Sequence, residues 1–412
     1  MREWLWLARL ALRNALRSPR RTFFTLFSVF LGVGLLVVSQ SFVDGIEATL
    51  VGIEVRNESA HLRVAPADWF GQEEYQPLDV PFEARDAVRA QLRARFPTAT
   101  VTGRTSFPAE VGDGRRNLRL RGLAVDPVAY ADLLPGVALA AVEGPADQPV
   151  VWLGADVASA FGWKVGDTLF LKAKSLRGTL NALDQVRIIG LVASGHPTVD
   201  NYTVFLPEGF ARGFLDLPEG FATELMARFD DPESADAAAA EVESGTPGLT
   251  AETWRERTRD FVEVNQIRRA ALNLVVGLIL LMAAAGVANT ALMSAFERTR
   301  EIGTLLSLGM PAKRVRRLLI LESGLIGGVG TVLGLVVGTV IATHFARHGL
   351  RFEVLQQAES VTLMPPILYF ELRTSTLLIG ATLGLSVAVL AAAWPASRAS
   401  KLSPIDALRE NG

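Results

Sequence analysis

The sequence predicts an integral membrane α-helical protein with four transmembrane helices and a large mixed α/β extracytoplasmic domain between helices one and two. Three observations carry this. The 412 residues are 50% hydrophobic and only 20% charged, with a mean hydropathy of +0.28, a mixture that suits membrane spans joined to a soluble domain. Four stretches stay apolar for the roughly 20 residues that a bilayer requires. Lys and Arg gather in the segments that join those stretches.

Composition also narrows the function. A net charge of −2 argues against a nucleic-acid partner, and the absence of cysteine excludes disulfides, thiol catalysis and cysteine metal sites. No cofactor and no metal is expected on this chain.

Residues 1–21 read as a cytoplasmic interfacial helix, with Arg9, Arg13 and Arg17 on one face and Trp4, Trp6, Leu7 and Leu10 offering apolar area. Residues 22–44 form the first span, wholly uncharged from Phe23 to Val43. A secretory signal is the alternative. The run is longer than a signal's apolar core and no small-residue cleavage box follows, so a retained anchor is expected.

Residues 45–269 form the α/β domain with a stalk. Phe107–Val111 and Asn117–Val125 flank Gly112-Asp113-Gly114 as a hairpin, since Asp-Gly supplies the positive φ of a tight turn. Asp156–Phe161 and Ser234–Glu243 read as helices, Gln185–Val192 as a strand, and Trp163–Lys172 as a turn feeding a strand. Trp254–Arg269 is expected to prolong the second span as a charged amphipathic stalk. His61 and His196 are far apart, with no third ligand completing a metal-binding pattern. His344 and His348 stand at i, i+4 without an acidic or cysteine partner, and no nucleophile motif is present. The domain reads as a scaffold or a surface for cargo and partners, without catalytic residues.

Residues 270–296 form the second span, and 297–317 a cytoplasmic loop. Within it Glu301–Leu308 reads as a short helix presenting Ile302, Leu305 and Leu306, ended by Gly309 and Pro311. Such a helix can plug into a soluble partner; a basic loop lying on the membrane surface is the plainer alternative. Residues 318–345 form the third span, 346–373 a short periplasmic loop, 374–395 a fourth span closed by Pro395, and 396–412 a cytoplasmic tail. In the tail, Ser403-Pro404-Ile405-Asp406 reads as the start of a last helix. Gly330, Gly334 and Gly338 recur every four residues on the third span, with Gly324 and Gly328 a similar pair, as close helix packing requires. Glu322 must face protein or water, with Arg298 or Arg300 as partner. Arginines at 2, 9, 13, 17, 20 and 21, in the 297–317 loop and in the tail put both termini in the cytoplasm.

The run Glu297–Gly309 (ERTREIGTLLSLG), then Arg316–Gly324 (RRLLILESG) and a glycine-rich span, resembles the signature of the MacB/FtsX-type permeases, type VII ABC transporter subunits. Pro395–Arg409 resembles that family's closing motif, and the order of one span, a domain and three spans agrees. The resemblance implies a dimer of permeases (two copies of this chain, or one with a close relative) working with a cytoplasmic ABC ATPase dimer. Glu301, Ile302, Gly303, Leu305, Leu306, Leu308 and Gly309 would form the coupling helix. The sequence has no Gly-x4-Gly-Lys-Ser/Thr phosphate loop, so ATP and Mg would belong to the partner ATPase. MacB carries its ATPase fused ahead of the permease, and no such domain precedes the first span here.

Val37–Glu47 and Ser59–Val64 resemble the lipoprotein-releasing (LolC/LolE-like) branch. That branch implies extraction of lipoprotein or lipid-like cargo from the bacterial inner membrane to a periplasmic carrier. Val38, Phe42 and Val43 of the first span and Ile267 and Leu274 near the second would then line a cargo cavity. A MacB-like efflux or secretion pump with an adaptor and an outer-membrane duct, and an FtsX-like regulator of a periplasmic partner, are the alternatives.

Overall fold

The computed structural model describes residues 19–400 apart from 81, 140–141, 143–146 and 352–366. The interfacial helix expected before residue 19, the closing motif beyond residue 400 and most of the 346–373 loop therefore lie outside the described residues. The elements, in chain order, begin with α1 Pro19–Glu54, which ends in a π-turn, Val55–Ser59. Then follow β1 Leu62–Pro66, α2 Arg85–Arg95, β2 Thr100–Gly112, β3 Asn117–Val125, α3 Pro127–Leu133, β4 Val150–Gly154, α4 Ala155–Phe161, β5 Thr168–Lys174 and β6 Leu180–Val192. Next come α5 Pro197–Tyr202, β7 Thr203–Pro207, α6 Glu208–Phe214, β8 Glu224–Arg228, α7 Ser234–Gly245 and β9 Leu249–Thr253. The chain finishes with α8 Arg259–Glu297, α9 Thr299–Ser307, α10 Ala312–His348 and α11 Thr374–Ala399.

Among the described residues, four helices are long and apolar enough to cross a membrane: α1, α8, α10 and α11. They outrun the expected spans. α1 continues beyond residue 44, α8 absorbs the expected stalk from Arg259 onward, and α11 runs through Pro395 to Ala399 rather than closing there. Proline costs a helix one hydrogen bond and crowds the preceding turn, but it need not end one when the surroundings are packed, and Pro395 is buried. Contacts divide the described chain into a helical unit (19–49, 262–351, 367–400) and an α/β unit (50–261).

In the helical unit, α1, α10 and α11 meet through small residues. A Cβ on Gly330 or Gly334 would lie 2.7 Å from a carbonyl oxygen of α1 (Leu26 or Phe30), and one on Gly338 2.9 Å from Val37. Gly384 and Gly380 of α11 approach Thr331 and Leu335 of α10. The Gly324/Gly328 pair behaves differently: Gly324 has only Val389 nearby, at 3.6 Å, and Gly328 faces open space, while the neighbouring Gly327 meets Ala388.

The α/β unit combines two strand arrangements. β1-α2-β2 and β8-α7-β9 make a split βαβ sheet in the order β2-β8-β1-β9, antiparallel throughout. Its core packs Val88 and Leu92 of α2 and Ala235, Ala238 and Val242 of α7 with Leu62, Val64, Leu225 and Ala227. Between β2 and β8 the chain builds a second arrangement, β3-β7-β4-β6-β5-β2, which closes because β2 also pairs with β3. β2 serves both: Thr100–Arg104 bonds β8, and Thr105–Gly112 bonds β3. The expected hairpin is the β2–β3 turn, where Gly114 takes φ +82° and Asp113 Oδ1 accepts from the amides of Arg115 and Arg116.

Candidate functional site

The candidate site is the turn that joins α8 to α10. Helix α9 is short because its last residues cannot continue it. Gly309 adopts φ +87°, its amide donates to Leu306 O, and the Met310 amide donates to Leu305 O; both bonds are 3.0 Å. These are the paired bonds of a Schellman stop. Pro311, which has no amide hydrogen, then caps α10.

The orientation of α9 differs from the expected apolar knob. Ile302 is 5% exposed and packs with Ala295, Val315, Leu319, Ala396 and Ala399. Gly303 is buried, and Leu305 and Leu306 are half-buried. The i, i+3, i+4 stripe is thus the face by which α9 sits on its own bundle. Exposed to solvent are Glu301, Thr304, Ser307, Gly309 and Leu308, the last at 80%. Spacing identified an apolar face but could not say that the bundle itself would claim it.

Arg298 fastens this turn. Its Nε donates to Glu301 Oε2 at 2.9 Å and its Nη1 to Glu322 Oε2 at 3.2 Å, so Arg298, of the two arginines considered, is the one seen paired with Glu322. Glu322 is 8% exposed and lines a cavity of about 20 Å3 with Thr22, Thr25, Thr290, Ser294 and Ser323. Thr25 and Thr290 are hydrogen-bonded to each other across it, at 2.8 Å.

The residues expected to line a cargo cavity are not gathered on one. Val43 is buried, and its carbonyl accepts from Asn265 Nδ2 at 3.1 Å. Val38 is half-buried, and Phe42 lies edge-on to Phe370. Ile267 and Leu274 are 72% and 67% exposed on α8. Bonds from Asn265 to α1, and between Gln40 and Asn273, hold α1 against α8 directly and close the space expected there. Nearby, Asp44 and Glu47 of α1 are bridged by Arg269 and Arg373.

Sequence reasoning missed a second charged assembly, buried in the α/β unit. Arg63 donates to Glu224 (2.8 Å), Glu252 (2.9 Å) and Glu73 (2.6 Å). Arg104 donates to Glu224 (2.8 Å), Glu58 (3.2 Å) and Tyr130 Oη (3.2 Å), and Arg121 grips Glu58 with both terminal nitrogens at 2.6 Å. Burial alone pushes the Glu224 carboxyl up, but Arg104 and Arg63 outweigh it and hold its pKa at about 2. His196 Nε2 lies 2.8 Å from Glu54 Oε2, a carboxylate 142 positions away in the chain that no local spacing indicates. No group of residues suited to hold a metal exists among the described residues. His344 and His348 do come together on α10, with stacked rings 4.5 Å apart.

Comparison with known proteins adds the following. Residues 22–244 match the MacB-like periplasmic core domain, and residues 273–404 the FtsX-like permease C-terminal domain. The lipoprotein-releasing system transmembrane protein LolC of Neisseria meningitidis serogroup B is 24% identical over 98% of this chain and 98% of its own. The macrolide export ATP-binding/permease protein MacB 2 of Yersinia pestis is 26% identical over 59% of this chain, which spans only 35% of that longer protein. Among solved structures, the periplasmic region of MacB from Actinobacillus actinomycetemcomitans is 13% identical, covering 52% of this chain and 98% of that one at a TM-score of 0.34.

Proposed function

The chain belongs to the family of permeases that carry a MacB-like periplasmic core domain and an FtsX-like C-terminal domain, and from that premise we propose that it couples a separate cytoplasmic ATPase to extraction of lipoprotein or lipid-like cargo from the inner membrane. It is an ABC transporter permease of the LolC/MacB type. The ATPase holds ATP and Mg. It docks on the exposed face of α9, where Leu308 is the apolar contact and Thr304 and Ser307 flank it. The excess of Arg and Lys near the chain start and in the 297–317 turn puts those segments in the cytoplasm and the α/β unit in the periplasm.

One observation carries the lipoprotein reading over export. The likeness to LolC runs over 98% of this chain, and that to the MacB relative over 59% of it. The apolar α8 face bearing Ile267, Leu274, Leu278 and Leu281 gives acyl chains or a second permease subunit a surface inside the membrane. The core-domain match also favours a second reading, an export pump working a periplasmic adaptor. Purification of the tagged chain in mild detergent separates them. Acylated protein and an ABC ATPase in the eluate support extraction, while an adaptor crosslinked to the α/β unit without acylated protein supports export. Failure to recover any ATPase refutes coupling in both.

A further inference from the structure

Helix α2 gives Val88 and Leu92 to the core beneath it, which leaves Arg85, Arg89 and Arg93 in a row along one flank. Two of the three have acceptors. Arg85 grips the neighbouring Asp86 through Nε at 3.0 Å and Nη2 at 2.7 Å, and Arg93 Nη2 donates to Val101 O at 3.1 Å. Arg89 makes no hydrogen bond and no ion pair with any described residue, and its Nε is enclosed without an acceptor. Asp86 and Glu208 act on it only at a distance, the one held by Arg85 and the other 3.7 Å from Arg212. Gly103 of β2 makes room for the guanidinium: a Cβ there would stand 3.2 Å from Arg89 Nη2. Burial, and then the like charge of Arg85, press the Arg89 pKa below its ordinary value. Such a guanidinium, half-buried and set between two like charges, is unfavourable for the fold by itself and favourable in contact with an oxyanion.

We propose that the row of Arg85, Arg89 and Arg93 binds an extended acidic segment of a partner protein, with Arg89 holding one carboxylate and its neighbours steering the rest. Successive arginines of the row are about 6 Å apart along the helix axis. Alternate side chains of an extended chain are about 6.6 Å apart, so acidic residues at every second position match the row. A single phosphate spans only one step of it. The planar fork of arginine suits two-point contact with a carboxylate, and Asp86 on Arg85 shows that geometry within the row. The partner lies on the side of the membrane that holds the α/β unit, and its binding is independent of ATPase docking on α9.

The test uses the full chain in nanodiscs of zwitterionic lipid and a rhodamine-labelled peptide of alternating glutamate and serine, read by fluorescence anisotropy. The parent is expected to bind it, more weakly as salt rises, and not to bind the matching glutamine–serine peptide. Arg89→Gln should weaken binding about tenfold, the scale of one charge-assisted hydrogen bond. Arg119→Gln, at an exposed position of β3, should leave it unchanged. Thermal unfolding separates a binding role from a structural one. Removal of an arginine that the fold does not pair should leave the midpoint of Arg89→Gln at or above the parent's. The peptide should raise the midpoint of the parent and not that of the variant. Absence of binding by the parent, equal binding by Arg89→Gln, or a midpoint of Arg89→Gln well below the parent's overturns the proposal. Glycerol 3-phosphate is the second ligand, and tighter binding of it than of the peptide overturns the acidic segment in favour of a lipid headgroup. No readout needs an ATPase, so failure here leaves the coupling reading standing.

Discussion

At the scale of single residues, Ile302 and Leu308 show how burial changes the meaning of a sequence pattern. Both are apolar and both lie in the predicted coupling segment, but one is held by the bundle and the other projects from it. Leu308→Asp is expected to cut ATPase co-purification sharply while the chain keeps its level in the membrane. Ile302→Asp should lower that level, because an unpaired charge is forced among Val315, Leu319 and Ala396. Equal co-purification by parent and Leu308→Asp would remove that residue from the docking face. Glu224 gives a second residue-scale expectation, with a definite sign. Its folded pKa of about 2 lies below the ordinary 4.5, so its contribution is present above about pH 4.5 and disappears as the pH falls through 2. The shift corresponds to about 3 kcal/mol, on the scale of 1.36 kcal/mol per pKa unit. Glu224→Gln leaves two arginines facing an uncharged group and should cost about 3–5 kcal/mol, with weaker acid sensitivity below pH 4.5 in thermal unfolding of the detergent-purified chain. Unfolding midpoints that track the parent at every pH would show that this network contributes nothing to stability.

At the scale of elements, the glycine stripe of α10 sets how near α1 can come. Gly334 faces the Phe30 carbonyl and the Gly34 amide, so Gly334→Leu must push α1 away at a cost of about 1–3 kcal/mol from overpacking, whereas Gly328→Leu enters open space and should be tolerated. The unfolding midpoints of the two variants in detergent check this, and equal midpoints would contradict it. The four long helices were legible because a bilayer demands an uninterrupted apolar run, which is written locally. The β2–β3 hairpin was legible for the same reason, through Asp113 and Gly114. The way β2 is shared between two strand arrangements was not, because its pairing with β8 joins residues more than a hundred positions apart and no local pattern sets that register. Nor was the partner set of Arg63, whose carboxylates come from Glu73, Glu224 and Glu252. In the sequence these are ordinary charges far apart, two on strands and Glu73 in a short helical turn; only the folded unit brings them to Arg63. Pro395 misled for a related reason, since a local breaker signal is overruled where packing covers the missing bond.

At the scale of the whole molecule, the function depends on which side of the membrane each unit occupies, and charge is the property that decides it. Retention of arginine-rich segments on the cytoplasmic side outweighs the pull of acidic residues, because short loops rich in Lys and Arg resist translocation. The turn around α9 is rich in such residues, from Arg298 and Arg300 to Lys313, Arg314, Arg316 and Arg317. The segment joining α10 to α11 has Arg347, Arg351 and Arg373 against Glu353, Glu359 and Glu371. On the proposed reading this asymmetry orients all four helices together, since each reverses the direction of the last. A truncating fusion after Asn57 is therefore expected to make alkaline phosphatase active in the periplasm, and one after Met310 to leave it inactive while green fluorescent protein at the same point glows. The paired reporters test more than topology. An ATPase can reach Leu308 only from the cytoplasm, so phosphatase activity at Met310 would defeat the orientation and ATP-driven docking on α9 together, leaving the fold intact but without its proposed source of energy.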